Sequence, residues 1–253
     1  MAQSLSEKSV KITMHKEDMK KNTLMITAAA ALLLLSTVSC KPVRSDKYYT
    51  TYMTAVSDNN SSDTESDNNS ISYFVSDDSI KIFPGNVLQI MNTLKNNDRV
   101  IASFTIPSGE ITNPVQAEFA SMSQLYEDNI TVSDRIDTLG KSPMSILSAW
   151  HSGGIYNAGR FITIVYSFQG TGFQFHTMAL VDDTSLEQNP DNDGYYHLRL
   201  THDNGNDIEA STMEGITTYP LTEKYTGEGI KGIKITYVPI PSIQTDSVAV
   251  INF

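Results

Sequence analysis

The residues best equipped for chemistry lie in the second half of this 253-residue sequence. They are His151, His176, His197 and His202, with an acidic turn at 189–194. Histidine nitrogens hold zinc when three or four ligands converge at about 2 Å with tetrahedral aim. His176 and His197 fall in neighbouring strand-like segments and could meet, but no spacing supplies a third ligand. The expectation is a set of surface or strand-end histidines. His202 precedes Asn206 and Asp207, which fits a strand-end turn whose side chains bond backbone or imidazole. Asn189, Asp191 and Asp193, followed by Gly194, place oxygens like the first half of an EF-hand loop. They are the weak calcium candidate, and Asp182 and Asp183 could add to them from a paired strand. The twelfth position of such a loop is Leu200, which has no oxygen to close the shell. A hairpin turn without metal is the stronger reading.

Motifs for catalysis are absent from the sequence. There is no Gly-x-Ser-x-Gly elbow and no His-Glu-x-x-His. Gly140-Lys141-Ser142 lacks the upstream glycine of a phosphate-binding loop. Carboxylates are plentiful, yet a catalytic pair needs a cleft that no linear pattern reveals. No catalytic residue and no cofactor are expected, and the chain reads as a non-enzyme. Trp150 with Tyr156 could stack on a ligand; a buried Trp anchoring a sheet core is the stronger reading.

The clearest chemistry belongs to Cys40, the only cysteine. A short basic stretch, Met19-Lys20-Lys21-Asn22, precedes a mostly apolar run at 24–35, then the small residues Ser36, Thr37, Val38 and Ser39. That order defines a secretory leader. The run is too short for a membrane-spanning helix, which needs roughly 20 residues. Thr37-Val38-Ser39-Cys40 resembles the lipobox of bacterial lipoproteins, with Thr37 in place of the usual Leu. Lipidation at Cys40 is therefore expected, with the membrane as a partner through several acyl chains. Residues 1–18 are mixed in charge and fit poorly ahead of a leader, so Met19 is the expected start. Lys41 and Pro42 follow the cysteine without an acidic cluster. This favours the periplasmic side of the outer membrane over the cell surface.

Processing at Cys40 leaves 13 Lys and Arg against 26 Asp and Glu, a net charge of −13. Such a chain repels nucleic acid and anionic membrane surfaces. With Cys40 lipidated, disulfides and thiol chemistry are excluded from the folded part. Apolar burial must hold it together, and 214 residues suffice for one large or two small cores.

These groups are positioned by strands. Residues 48–56 are β-prone. The run at 57–70 contains no apolar residue and is expected to be a flexible acidic loop. Strand-like pieces follow at 71–75 and 79–83, and a short helical pattern at 87–94. At 99–106, Val100, Ala102, Phe104 and Ile106 alternate with Ile101, Ser103 and Thr105; Val115, Ala117 and Phe119 repeat this period of two. Five short strands suggest a small barrel. A boundary is expected within 131–143. Beyond it, strands are expected at 161–168, 173–181, 195–201, 208–212, 232–238 and 247–253, punctuated by Gly, Asn and Asp turns. Regular short strands of this kind read as a β-sandwich.

The order of leader, small β-domain, Gly140-Lys141-Ser142-Pro143 and the turn Asn189-Pro190-Asp191-Asn192-Asp193-Gly194-Tyr195 resembles the NigD-like lipoproteins of Bacteroides and Prevotella relatives. His202, Asn206-Asp207 and the Trp150 segment at 146–154 add to the likeness. The long loop at 57–70 and Met213-Glu214-Gly215 depart from it. The resemblance covers nearly all of the processed chain. It implies an all-β protein, an N-terminal OB-like small barrel followed by a C-terminal β-sandwich. The expected divisions are leader 1–39, lipidated tether 40–47, barrel 48–138 and sandwich 139–253. The resemblance also implies a binding or protective envelope role, with a bacteriocin-associated immunity function as one form. An accessory glycan-binding lipoprotein of an uptake system and a structural or adhesive subunit are the alternatives. An envelope protein, a peptide or a glycan is the expected partner, and nucleic acid is not.

Overall fold

The computed structural model describes residues 47–57, 70–186, 190–240 and 247–253. The leader, Cys40 and nearly all of its tether, the acidic stretch 58–69 and Asn189 lie outside the described residues.

Strands β1 (Tyr48–Val56), β2 (Tyr73–Ser76), β3 (Lys81–Pro84), β4 (Arg99–Thr105) and β5 (Val115–Gln124) close into a barrel in the order β1-β2-β3-β5-β4. Closure removes the free edges that five short strands would otherwise expose. The period of two is realised: Val100, Ala102, Phe104, Val115, Ala117 and Phe119 are buried, and Phe104 and Phe119 pack with ring centroids 5.6 Å apart. The pattern at 87–94 forms only a 3-10 turn, Gln89–Asn92. Its Met91, with Leu94, enters the barrel core, while Val87 stays in water.

The second half packs a five-stranded sheet, β13-β12-β10-β9-β6, and a three-stranded sheet, β11-β8-β7. Its strands are β6 (Thr131–Ser133), β7 (Ser145–Gly153), β8 (Arg160–Gly170), β9 (Thr177–Asp183), β10 (Tyr195–Asp203), β11 (Ser211–Leu221), β12 (Gly232–Thr236) and β13 (Val248–Asn252). A one-turn helix, α1 (Glu223–Thr226), joins β11 to β12. Ile162, Ile164, Leu198, Leu200 and Ile235 fill the core. The all-β expectation of a barrel followed by a sandwich holds.

Four local expectations need correction. β6 pairs in parallel with β9, so the sandwich takes strands from residue 131 onward, ahead of the expected boundary at 139. β7 was not expected as a strand. Its pairing with β8 shifts register between Ile146 and Ser148, and such a bulge breaks the alternation by which a strand is recognised. β11 runs far past 212, through Gly215 and Pro220 to Leu221. Both residues weaken a strand, and Pro220 is tolerated because β11 lies at a sheet edge. β9 starts only at Thr177, which leaves Phe173 and Phe175 in the preceding loop.

β8 is buried over almost its whole length. Its even residues, Ile162 to Phe168, face the sandwich core. On the opposite face, Phe161 and Thr163 meet the barrel's Arg99. A central strand covered on both faces loses the alternating pattern and reads as a continuous apolar run.

Candidate functional site

Three buried polar clusters and one apolar tip compete for the role. The first cluster joins barrel to sandwich. Arg99, fully buried on β4, grips Asp77 with two parallel bonds of 2.6 and 2.7 Å and also donates to Thr54 and Thr163. Trp150 on β7 donates its indole N–H to the same carboxylate at 2.6 Å and packs on Tyr52. Trp150 is therefore a clasp at the junction and not the expected anchor of the sandwich core. Nor does it form a platform with Tyr156. The Tyr156 hydroxyl meets Asn113, and its carbonyl accepts from Tyr73.

The second cluster is the most catalytic in appearance. His176, just before β9, and His202, near the end of β10, stack with Nδ1 of His176 2.9 Å from Nε2 of His202. Nε2 of His176 lies 3.1 Å from Asp207, and both side chains are nearly buried. Asp207 also accepts from the backbone and hydroxyl of Thr171 and the backbone of Ile208. His202 Nδ1 lies 3.1 Å from the carbonyl of Pro143, which only accepts, so that nitrogen carries a hydrogen. Burial, first, and the neighbouring His176 hold the His202 pKa below its ordinary value. Nε2 of His202 is then the nitrogen that faces His176 Nδ1, while Nε2 of His176 faces the Asp207 carboxylate. Every ring nitrogen is committed. The arrangement closes on itself and braces the β8–β9 loop against the β10–β11 loop. A side chain at Gly170 would collide with this pair, its Cβ falling 2.8 Å from Asp207 and 2.9 Å from His176.

The sequence expectation located the partners imperfectly. His176 pairs with His202 and not with His197. Asp207 bonds the imidazole of His176 and not that of His202. His197 lies opposite Lys234 of β12, and both donate to Asp191 Oδ2, at 2.7 and 2.8 Å. Oδ1 of Asp191 accepts from the backbones of Asp193 and Tyr195. Of the calcium candidates, Asp191 is thus surrounded by donors, including an ammonium; Lys234 lies 3.7 Å from Asp193; Asn189 is outside the described residues. Asp183 caps a turn through Ser185. Among the described residues no group of three or more His, Cys, Asp or Glu is arranged to hold a metal.

The third cluster is built on Asp182. Buried on β9, it accepts from the hydroxyls of Tyr196 and Tyr225 and from Lys224, and so ties α1 to the sheet. Neither this cluster nor the Arg99 junction was foreseen, because their members lie 14 to 73 residues apart in the chain.

The apolar tip is the counterpart of these inward-facing clusters. Phe173 and Phe175 are 90% and 95% exposed, and Ile208 is 73% exposed. The loops carrying them touch: Gly205, with φ of +59°, approaches so closely that a Cβ there would lie 2.7 Å from the Phe175 carbonyl. Beside the loops, Ser142, Gln169, His202, Asn204 and Glu209 line a cleft of about 240 Å³.

The brace should loosen in acid. His202 has a lowered folded pKa, so its neutral form stabilises the fold above about pH 6.5, and this is lost as pH falls below that value. The Thr171 hydroxyl, then His176, hold Asp207 well below the usual carboxylate range. Its contribution persists to about pH 4 and is lost further down. The thermal midpoint should therefore drop as pH falls below about 6.5 and again below about pH 4, and Asp207→Asn should shrink the second drop. A second drop of unchanged size in that variant would contradict the assignment.

Residues 129–247 match the family model of the NigD-like C-terminal β-sandwich domain. No curated protein matches the chain. Among solved structures, a Bacteroides vulgatus protein of unknown function aligns at 15% identity and TM-score 0.62, covering 82% of this chain and 91% of that one. A NigD-like immunity protein from Bacteroides caccae aligns at 18% identity and TM-score 0.51, covering 83% and 92%. A candidate lipoprotein from Bacteroides fragilis aligns at 10% identity and TM-score 0.54, covering 82% and 98%. At these identities the structures share the fold. The resemblance to the NigD-like family holds.

Proposed function

From a chain whose residues 129–247 form a NigD-like C-terminal β-sandwich domain, we propose a non-catalytic, lipid-anchored envelope protein that binds a partner and protects the cell. One observation carries this reading: polar chemistry is closed inward, while large apolar side chains are held outward. His176, His202 and Asp207 spend their hydrogen bonds on one another and on neighbouring backbone, whereas Phe173 and Phe175 stand in water. That is the layout of a binding protein. A protective role has support from the similar fold of a protein described as a NigD-like immunity protein.

Anchoring through Cys40 is part of the proposal, as is a site at the outer membrane facing the periplasm. Among the described residues no helix is long and apolar enough to cross a membrane. Cys40→Ser should move the protein from the membrane pellet to the soluble fraction. A variant that still pellets fully with membranes would sink the anchor. For protection, cells with and without the protein are challenged with antibacterial proteins and peptides from related bacteria. Survival should favour the producers; equal killing across the panel would overturn the role.

A second reading, an accessory glycan-binding lipoprotein, is favoured by the cleft beside the tip, where Ser142, Gln169, Asn204 and Glu209 offer hydroxyl, amide and carboxylate groups. Glycan-array retention that depends on these four residues would select it.

A further inference from the structure

We propose that the tip formed by Phe173, Phe175 and Ile208 is the docking surface of this protein, and that it takes a cationic, amphipathic segment of a protein or peptide partner. The proposal rests on the binding reading above and names its contact surface.

Exposure is the first observation. Two phenyl rings at 90% and 95%, with Ile208 at 73%, sit on two touching loops at one end of the sandwich. Single exposed apolar residues are ordinary, whereas a rimmed cluster marks an interaction surface. Phe173 and Phe175 alternate with Gln174. Both rings stay out of the core although β9 begins two residues later.

Rigidity is the second. The loops are clamped from beneath by Asp207, which reaches Thr171 in one loop and Ile208 in the other, and by the His176–His202 stack. Gly205 allows the β10–β11 loop to seat against the Phe175 backbone. A platform ordered before binding loses less freedom when a partner arrives. Burial of an Asp–His pair is costly and is repaid here by fixing two loops in one geometry.

Charge selects the partner. No Lys or Arg occurs between Arg160 and Arg199, or between Arg199 and Lys224. Asp203 and Glu209 are exposed beside the tip; Lys141 is exposed on the neighbouring segment bonded to His202, and the two carboxylates outnumber it. An apolar centre with an acidic rim complements an apolar face bordered by Lys or Arg. The same rim repels an anionic bilayer, to which an aromatic loop could otherwise attach.

The test uses the secreted Cys40→Ser chain and a fluorescein-labelled Lys/Leu amphipathic helical peptide, read by anisotropy. Binding is expected, and it should weaken with added salt. Phe173→Ser with Phe175→Ser should lower affinity at least tenfold without changing the melting temperature, since neither ring is packed. Asp203→Asn with Glu209→Gln should reduce the salt dependence. The proposal is overturned if the peptide does not bind, if the Phe variant binds unchanged, if an acidic amphipathic peptide binds equally well, or if vesicles of zwitterionic or anionic lipid are bound and the peptide is not. A Phe variant that protects cells as well as the unaltered chain would refute this surface and leave the protective function standing. Loss of protection by the unaltered chain would refute that function instead.

Discussion

Asp77→Ala should cost about 3–5 kcal/mol, measured as the change in urea unfolding free energy. The reason is the buried cation it abandons. Arg99 is wholly shielded from water and relies on Asp77 for two charge-assisted bonds. Its Nε already lacks a partner. Thr54 and Thr163 would remain as neutral acceptors for the guanidinium, too few to hold a full charge away from solvent. Trp150 would lose the acceptor of its indole N–H in the same step. It is the only tryptophan, so its emission reads the junction directly and should shift in the native variant. Replacing both partners, with Arg99→Met and Asp77→Leu, should recover most of the loss, because an apolar pair of similar size carries no desolvation cost. A loss below about 1 kcal/mol in the single variant would show that the pair does not secure the junction.

The second large effect is expected at Asp182. Asp182→Ala leaves the hydroxyls of Tyr196 and Tyr225 without their acceptor, at about 1–3 kcal/mol each. Lys224 adds little, because its side chain is 48% exposed and water replaces the carboxylate. A total of about 2–6 kcal/mol follows, and α1 should fray before the sheet does. The same cluster predicts alkaline sensitivity. Burial, first, and Asp182 push the Tyr225 phenol up to about 12, and they push Tyr196 upward as well. The bond to Asp182 raises Lys224. A phenol with a raised folded pKa stabilises the fold below its unfolded value near 10, and this is lost as pH climbs toward 12. The protonated Lys224 contributes in the same sense. Thermal midpoints should fall above pH 10; a midpoint flat to pH 12 would reject the assignment.

What the sequence determined by itself was everything that depends on neighbours along the chain. Arg99 to Ile106 and Val115 to Phe119 alternate because one face of each strand fills a barrel, and alternation survives in any strand covered on one side. The Asn-Pro-Asp-x-Asp-Gly-Tyr turn was legible because φ-permissive and backbone-bonding residues are needed there; Asp191 indeed folds back on Asp193 and Tyr195. The family resemblance rested on the same local markers.

The tertiary structure decided the rest. β7 is bulged and β11 runs along an edge through Gly215 and Pro220, so neither shows a clean period. His176 could be assigned to His202 and Asp207 only once β9 and β10 were in register, because a hydrogen bond depends on a few ångströms that no sequence spacing encodes. Phe173 and Phe175 look like strand residues in isolation. They became a presented surface because β9 starts at Thr177 and a buried Asp–His brace holds their loop outward.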